Sequence, residues 1–294
     1  MDRLPRSRRS PVAQARIALV CGVVVALVAC GDPEAPPPRG TPAAIAGDRG
    51  RIVGICRLVG TPTPVKLREW PGMGIEAGQD DESVRTGEGR ALGGCVVTVD
   101  VGRPSRTAQA APPPDATFTL TAVSGRFAPH VAIAHAPVQL VLESRLERDL
   151  VVHGYDARTR ETAFNLALSP GAALRDVGQL YLQRPGVYWV TDDLRGHFTA
   201  WIHVVSTPHV DLTTAEAREG IPAGGYRLEG VPPGRRVLRC WHEPMDRRDQ
   251  PLSSGYVLGP PIEIVRTVEV AAGREVRVDF DVVHPTDADA PAGR

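Results

Sequence analysis

Five cysteines and eight histidines are the side chains of this 294-residue chain best suited to hold a metal or move a proton. A structural zinc site announces itself by short spacings such as C-x-x-C. Cys21, Cys30, Cys56, Cys95 and Cys240 show no such spacing, so zinc is disfavoured. His130 and His135 stand five apart in HVAIAH and point to opposite faces of one strand, which makes them poor joint ligands. His203 and His209 are expected in solvent near a domain junction. His242 and Glu243 in CWHEP have the types for acid–base work. There is no G-x-S-x-G elbow, H-E-x-x-H pair, P-loop or G-x-G-x-x-G turn, and the expectation is a protein that is not an enzyme.

The N-terminus decides which cysteines remain. Residues 1–16 carry Arg3, Arg6, Arg8, Arg9 and Arg16, and residues 17–29 (IALVCGVVVALVA) are apolar and uncharged. At 1.5 Å per residue this run reaches only roughly 20 Å, short for a transmembrane helix and suited to a signal peptide. It ends Leu27-Val28-Ala29-Cys30, which resembles the lipobox of bacterial lipoproteins; the resemblance implies cleavage before Cys30 and lipidation of it. An uncleaved anchor is the alternative, and Arg8-Arg9 fits twin-arginine export poorly. Two acyl chains hold a protein on a membrane without crossing it. The expected location is therefore the cell envelope, facing the periplasm or exterior. Cys56, Cys95 and Cys240 would then sit in an oxidising compartment. Either one pair bridges and a thiol is left over, or all three are small buried residues in strands.

Charge narrows the partners. Lys+Arg and Asp+Glu both number 34, and removing residues 1–29 leaves a mildly acidic chain of about −4. A chain without a basic footprint is not expected to bind nucleic acid. Hydrophobic residues make up 42%, which argues against wholesale disorder.

The elements that must position these side chains are strands. Residues 30–48 are a Pro-, Ala- and Gly-rich tether. RIVGICRLVG (51–60) reads as a strand, and CVVTVDV (95–101) puts Cys95, Val97, Val99 and Val101 on one face. Residues 66–94 predict a long exposed loop, with Trp70 and Met73 of WPGMG as a partner contact or local packing; 103–116 predict a linker. From Thr117 short strands recur between turns. In FTAWIHVV, Phe198, Ala200, Ile202 and Val204 alternate with Thr199, Trp201, His203 and Val205, the period of a half-buried strand. In the last strand Val276, Val278, Phe280 and Val282 face one way. TTAEAREG (213–220) could make two helical turns. The fold class is all-β, built of sandwiches.

VHGYD (152–156), TAFNLALSPG (162–171), RPGVYWVTDDLRGHFTAWIHVV (184–205) and EGVPPGRRVLRCWHEP (229–244) together resemble bacterial envelope proteins. Those combine a cupredoxin-like (plastocyanin-like) domain with a carboxypeptidase-regulatory-like, transthyretin-like β-sandwich. The resemblance covers roughly 50–283. With the N-terminal reading it gives a signal peptide at 1–29, a tether at 30–48, N-terminal strands and linker at 49–114, the cupredoxin-like domain the resemblance implies at 115–206, the regulatory-like sandwich it implies at 207–284 and a flexible tail at 285–294. Residues 49–114 look like the opening strands of the regulatory-like sandwich, with the cupredoxin-like segment inserted in it.

Copper-binding members of this group use two imidazoles, a thiolate and a thioether, the donors suited to a trigonal copper site. The matching positions here are Leu150, Asp192, Arg195 and Phe198, so the spacing survives and every ligand is replaced. Asp193 and Trp201 still match the framework. Asp192 and Arg195 could pair, and no metal is expected. The alternative is a rebuilt copper site from His153, His197, Asp192 and Asp193, which the resemblance gathers at one end of the sandwich. The resemblance also implies a structural His242 near the domain interface. The functional expectation is a lipid-anchored, non-enzymatic binding or scaffolding protein with an envelope protein or carbohydrate partner; copper carriage or electron transfer through His153 and His197 is the alternative.

Overall fold

Alternating side chains make strands here because the two faces of a pleated chain meet different surroundings. In β1 (Gly50–Val59), Ile52, Cys56 and Leu58 are buried while Arg51, Val53, Ile55 and Arg57 are half-buried. The computed structural model describes residues 47–60, 84–101, 117–123, 126–174, 181–245, 247–249 and 256–284, and among them no α-helix occurs. The signal segment, Cys30, most of the tether, Trp70, Met73, the 103–116 linker and the tail lie outside the described residues. No helix among the described residues is long and apolar enough to cross a membrane.

A single 3-10 turn (Glu88–Arg90) precedes β2 (Val96–Asp100). Then come β3 (Thr117–Val123), β4 (Arg126–Ala128), β5 (Val131–His135), β6 (Val138–Ser144), β7 (Leu150–Asp156), β8 (Thr162–Leu168), β9 (Ala173–Leu174), β10 (Tyr181–Leu182), β11 (Gly186–Asp192) and β12 (Arg195–Val205). The chain finishes with β13 (Val210–Leu212), β14 (Gly225–Val231), β15 (Gly234–His242), β16 (Arg247–Asp249), β17 (Tyr256–Leu258), β18 (Ile262–Val270), β19 (Glu275–Arg277) and β20 (Phe280–Val283). The protein is an all-β sandwich fold.

Strand pairing links the two ends of the chain. Strand β1 pairs with β14 antiparallel and with β19 and β20 in parallel, while β2 lies between β13 and β15, and β15 continues to β18. The strands between them form two other sheets: β10-β6-β3-β4, with β9 on β6, and β5-β12-β11-β7-β8. The chain thus leaves one sandwich after β2, builds a second from β3 to β12, and returns at β13. We call these the enclosing and the inserted sandwich. Each has its own core, around Ile52, Val97, Tyr226, Leu238 and Phe280 in the enclosing one and around Leu120, Leu140, Val152, Phe164 and Ile202 in the inserted one. A third cluster, Val96, Val131, Trp201 and Trp241, joins them.

Several local expectations change in three dimensions. FTAWIHVV is not half-buried: Phe198 to Val204 are buried on both faces, because β12 turns Trp201 and His203 towards the enclosing sandwich. The 66–94 loop is not exposed throughout, since Leu92 lies wholly inside the enclosing core; residues 61–83 of it lie outside the described residues. Residues 213–220 do not form helical turns. Thr213 Oγ1 donates to the Leu92 carbonyl, Arg218 makes a bidentate pair with Asp211, and Gly220 adopts φ +66°, so side chains and a left-handed residue claim the backbone instead. The final strand is split into β19 and β20. Its Val278 carbonyl lies 1.7 Å from where a Cβ on Gly54 would fall, so only glycine permits this approach. Phe280 and Val282 are buried, while Val276 and Val278 are half-buried at the break.

Candidate functional site

The seam between the sandwiches brings together buried polar side chains from both, His130, Trp201 and Glu243 among them. On β12, Trp201 is the outward-facing residue between Ala200 and Ile202; its indole N–H donates to Glu243 Oε2 at 3.0 Å. His130, just before β5, lies 2.6 Å from Glu243 Oε1 through Nε2, and its Nδ1–H donates to the Thr199 carbonyl at 3.0 Å. The imidazole thereby bridges the Thr199 carbonyl and the Glu243 carboxylate. Glu243 leaves the end of β15 from the enclosing sandwich, and His130 and Trp201 come from the inserted one. The His130 and Glu243 side chains are only 7% and 2% exposed.

Two further histidines stand close by. His203 is buried, edge-on to Trp241 at 4.1 Å, and desolvation lowers its pKa to about 3, so it is neutral. His242 is buried and donates from Nδ1 to the Glu243 carbonyl at 2.8 Å. The expectation that His203 and His209 are exposed is corrected: the enclosing sandwich covers His203, and His209 is buried with its Nδ1–H donating to the Glu229 carbonyl at 3.0 Å. Burial, then the charges of Arg49 and Arg236, lower the His209 pKa against the opposing effect of that hydrogen bond.

Beside the Glu243 pair lies a cavity of about 310 Å³, with Gly94, Thr213 and Thr214 on one side and Arg126, Phe127 and His130 on the other. That is the lower bound of small-molecule pockets, roughly 300 Å³. Both oxygens of Glu243 and both ring nitrogens of His130 are taken up by hydrogen bonds. The arrangement holds shape and charge in place; it does not present a free base.

Elsewhere in the inserted sandwich the positions matched to copper ligands are occupied otherwise. Leu150 and Phe198 are buried in its core, Phe198 edge-to-face with Phe127 at 5.7 Å. The Asp192 carboxylate is buried and accepts from the backbone N–H of Val151 at 2.9 Å and of Leu194 at 3.3 Å, stapling the β11–β12 turn. The side chains of Arg195 and His197 lie outside the described residues. His153 and Asp193 do meet, Nδ1 to Oδ2 at 2.9 Å, and His153 Nε2 lies 2.9 Å from Thr162 Oγ1. From His153 an aromatic row runs inward through Tyr155, Trp189, Trp201 and Trp241, with successive centroids 3.9, 5.3, 6.3 and 5.4 Å apart. Tyr155, Trp189 and Trp201 are register partners on β7, β11 and β12.

Cys56, Cys95 and Cys240 are buried free thiols. Cys56 and Cys240 sulfurs are 3.7 Å apart, and all three sulfurs lie within 4.8 Å of one another. Hydrogen bonds from Cys56 and Cys95 hold the Cys240 thiol well below its ordinary range. The Cys56 thiol is pushed up first by its hydrogen bond to Cys240 and the Cys95 thiol first by desolvation.

The Glu243–His130–Trp201 network escaped the sequence reading because its members come from segments 113 and 42 positions apart. One signal was available: Trp201 and Trp241 occupy alternating positions that a solvent-facing strand surface would give to polar residues. No protein-family model, curated protein or solved structure matches this chain.

Proposed function

We propose that this is a lipid-anchored envelope protein that acts by binding, with the cavity at the seam as its site and a small polar ligand of sugar or peptide-end size as its occupant. The observation that carries the reading is the cavity itself, walled by both sandwiches beside a buried carboxylate that both sandwiches hold. Glycines and threonines on one wall and a guanidinium beside a phenyl ring on the other suit hydroxyl and amide recognition. The inserted sandwich, in this reading, is a cupredoxin-like domain without type 1 copper, since a carboxylate that staples a turn stands where the thiolate would be. The enclosing sandwich is regulatory-like.

Two experiments test it. A thermal-shift screen of mono- and disaccharides and short peptides on the purified full chain should find a stabilising ligand, by about 2.7 kcal/mol at a hundredfold excess over Kd; stabilisation by no member of the set counts against the binding reading. Cys30→Ala should abolish the lipid mass and move the protein out of the membrane fraction. Unchanged fractionation with no lipid mass in the parent chain would refute the anchor.

The second reading, copper carriage at His153 and His197, draws on the His153–Asp193 contact. It requires His153 to give up a hydrogen bond at one ring nitrogen.

A further inference from the structure

The enclosing core contains a second constellation that the seam does not use. Cys56 sits in the middle of β1, Cys95 immediately before β2, and Cys240 on β15. Strands β2 and β15 belong to one sheet and β1 to the other, so the three sulfurs converge across the sandwich from three separate elements. They are 0%, 0% and 2% exposed. A disulfide would draw two of them to about 2.05 Å and leave the third beside the bridge without a role. Three sulfurs around one ion at a bond length of about 2.3 Å stand about 4.0 Å from each other. Cys56 and Cys240 stand 3.7 Å apart and all three sulfurs lie within 4.8 Å of one another, distances that accommodate that value.

We propose that Cys56, Cys95 and Cys240 form a trigonal all-sulfur site for one Cu(I) ion. Thiolates select soft ions, and the choice among them follows from the ligand count. Structural zinc takes four ligands. Among the described residues no fourth cysteine, histidine or carboxylate joins this group. Cu(I), a closed-shell ion, is satisfied by three sulfurs. Each Cu–S bond replaces an S–H bond and releases one proton to solvent, and neither copper nor sulfur changes oxidation state. Ligands held on paired strands of two packed sheets are fixed before the ion arrives.

The test uses the full chain, purified in detergent, reduced and kept free of oxygen. Cu(I), as its acetonitrile complex, is offered with a competing chelator to the folded chain and during refolding from urea, because the sulfurs are buried. The expected result is one copper retained per chain, with an X-ray absorption shell of three sulfurs. Cys56→Ala and Cys95→Ala should weaken retention at least about tenfold, with strand content followed by circular dichroism. The sulfur shell of the parent chain stands as evidence even where a variant does not fold. No retained copper, a nitrogen or oxygen shell, copper lost on His153→Ala, or a Cys56–Cys240 disulfide in protein isolated without reductant would each overturn the proposal. None of these outcomes bears on the seam cavity, whose ligand is tested separately.

Discussion

At the outer end of the inserted sandwich, His153 meets Asp193 at 2.9 Å; at the seam, His130 meets Glu243 at 2.6 Å. Both are imidazole–carboxylate contacts, and their surroundings differ. Asp193 is 36% exposed and His153 12%, and their contact stays within the inserted sandwich, whereas Glu243 is 2% exposed and reaches His130 and Trp201 of the other sandwich. A polar contact open to solvent is worth about 0–1 kcal/mol. Removing the acceptor of a buried one strands each of its donors at a cost of about 1–3 kcal/mol. The contrast teaches that a functional site here is better sought where the fold commits its polar groups to one another across a boundary than where a family pattern places its ligands.

That contrast can be broken or sharpened experimentally. The largest effect is expected from Glu243→Ala, which strips His130 and Trp201 of their shared acceptor and should lower unfolding stability by about 2–5 kcal/mol in urea titration. A loss under about 1 kcal/mol would mean that water replaces the carboxylate and that the seam is not sealed.

Acid should act next, through His203. Its folded pKa of about 3 lies below the ordinary 6.5, so the unfolded chain binds the proton more tightly. The His203 contribution is whole above pH 6.5 and is lost as pH falls towards 3, at up to about 1.4 kcal/mol per pH unit. His203→Phe should flatten that part of the stability curve, and an unchanged slope would show that His203 is hydrated in solution.

The smallest effect is expected from His153→Ala. His153 is itself 12% exposed and stacks on Tyr155, so its removal should cost about 1–2 kcal/mol by thermal unfolding, still below the loss at the seam. A larger loss would make the two ends equivalent and erase the distinction.

Period-two alternation made the all-β class legible, and it did so strand by strand: Ile52, Cys56 and Leu58 in β1 are buried as a strand face should be. The same alternation carried no information about a second covering layer, so β12 read as half-buried although His203 and Trp201 are covered. The candidate site was visible only in fragments. Trp201 and Trp241 sat on faces where polar residues belong, but their joint acceptor, Glu243, could not be paired with His130 across 113 positions without the fold. The cysteines taught the same lesson. Spacings of 39 and 145 residues left a bridge or separate burial open, and only strand order brings the three sulfurs within 4.8 Å.

The most direct test of the seam as the binding site is ligand titration, followed by nuclear magnetic resonance, of the parent chain beside Thr214→Trp and His153→Ala. Thr214 lines the cavity, and a tryptophan there occupies it. The account predicts that the ligand shifts resonances of Gly94, His130 and Thr213, that Thr214→Trp abolishes the response, and that His153→Ala leaves it intact. A response centred on His153 and Asp193 and lost with His153→Ala, or one that survives the filling of the cavity, would contradict it.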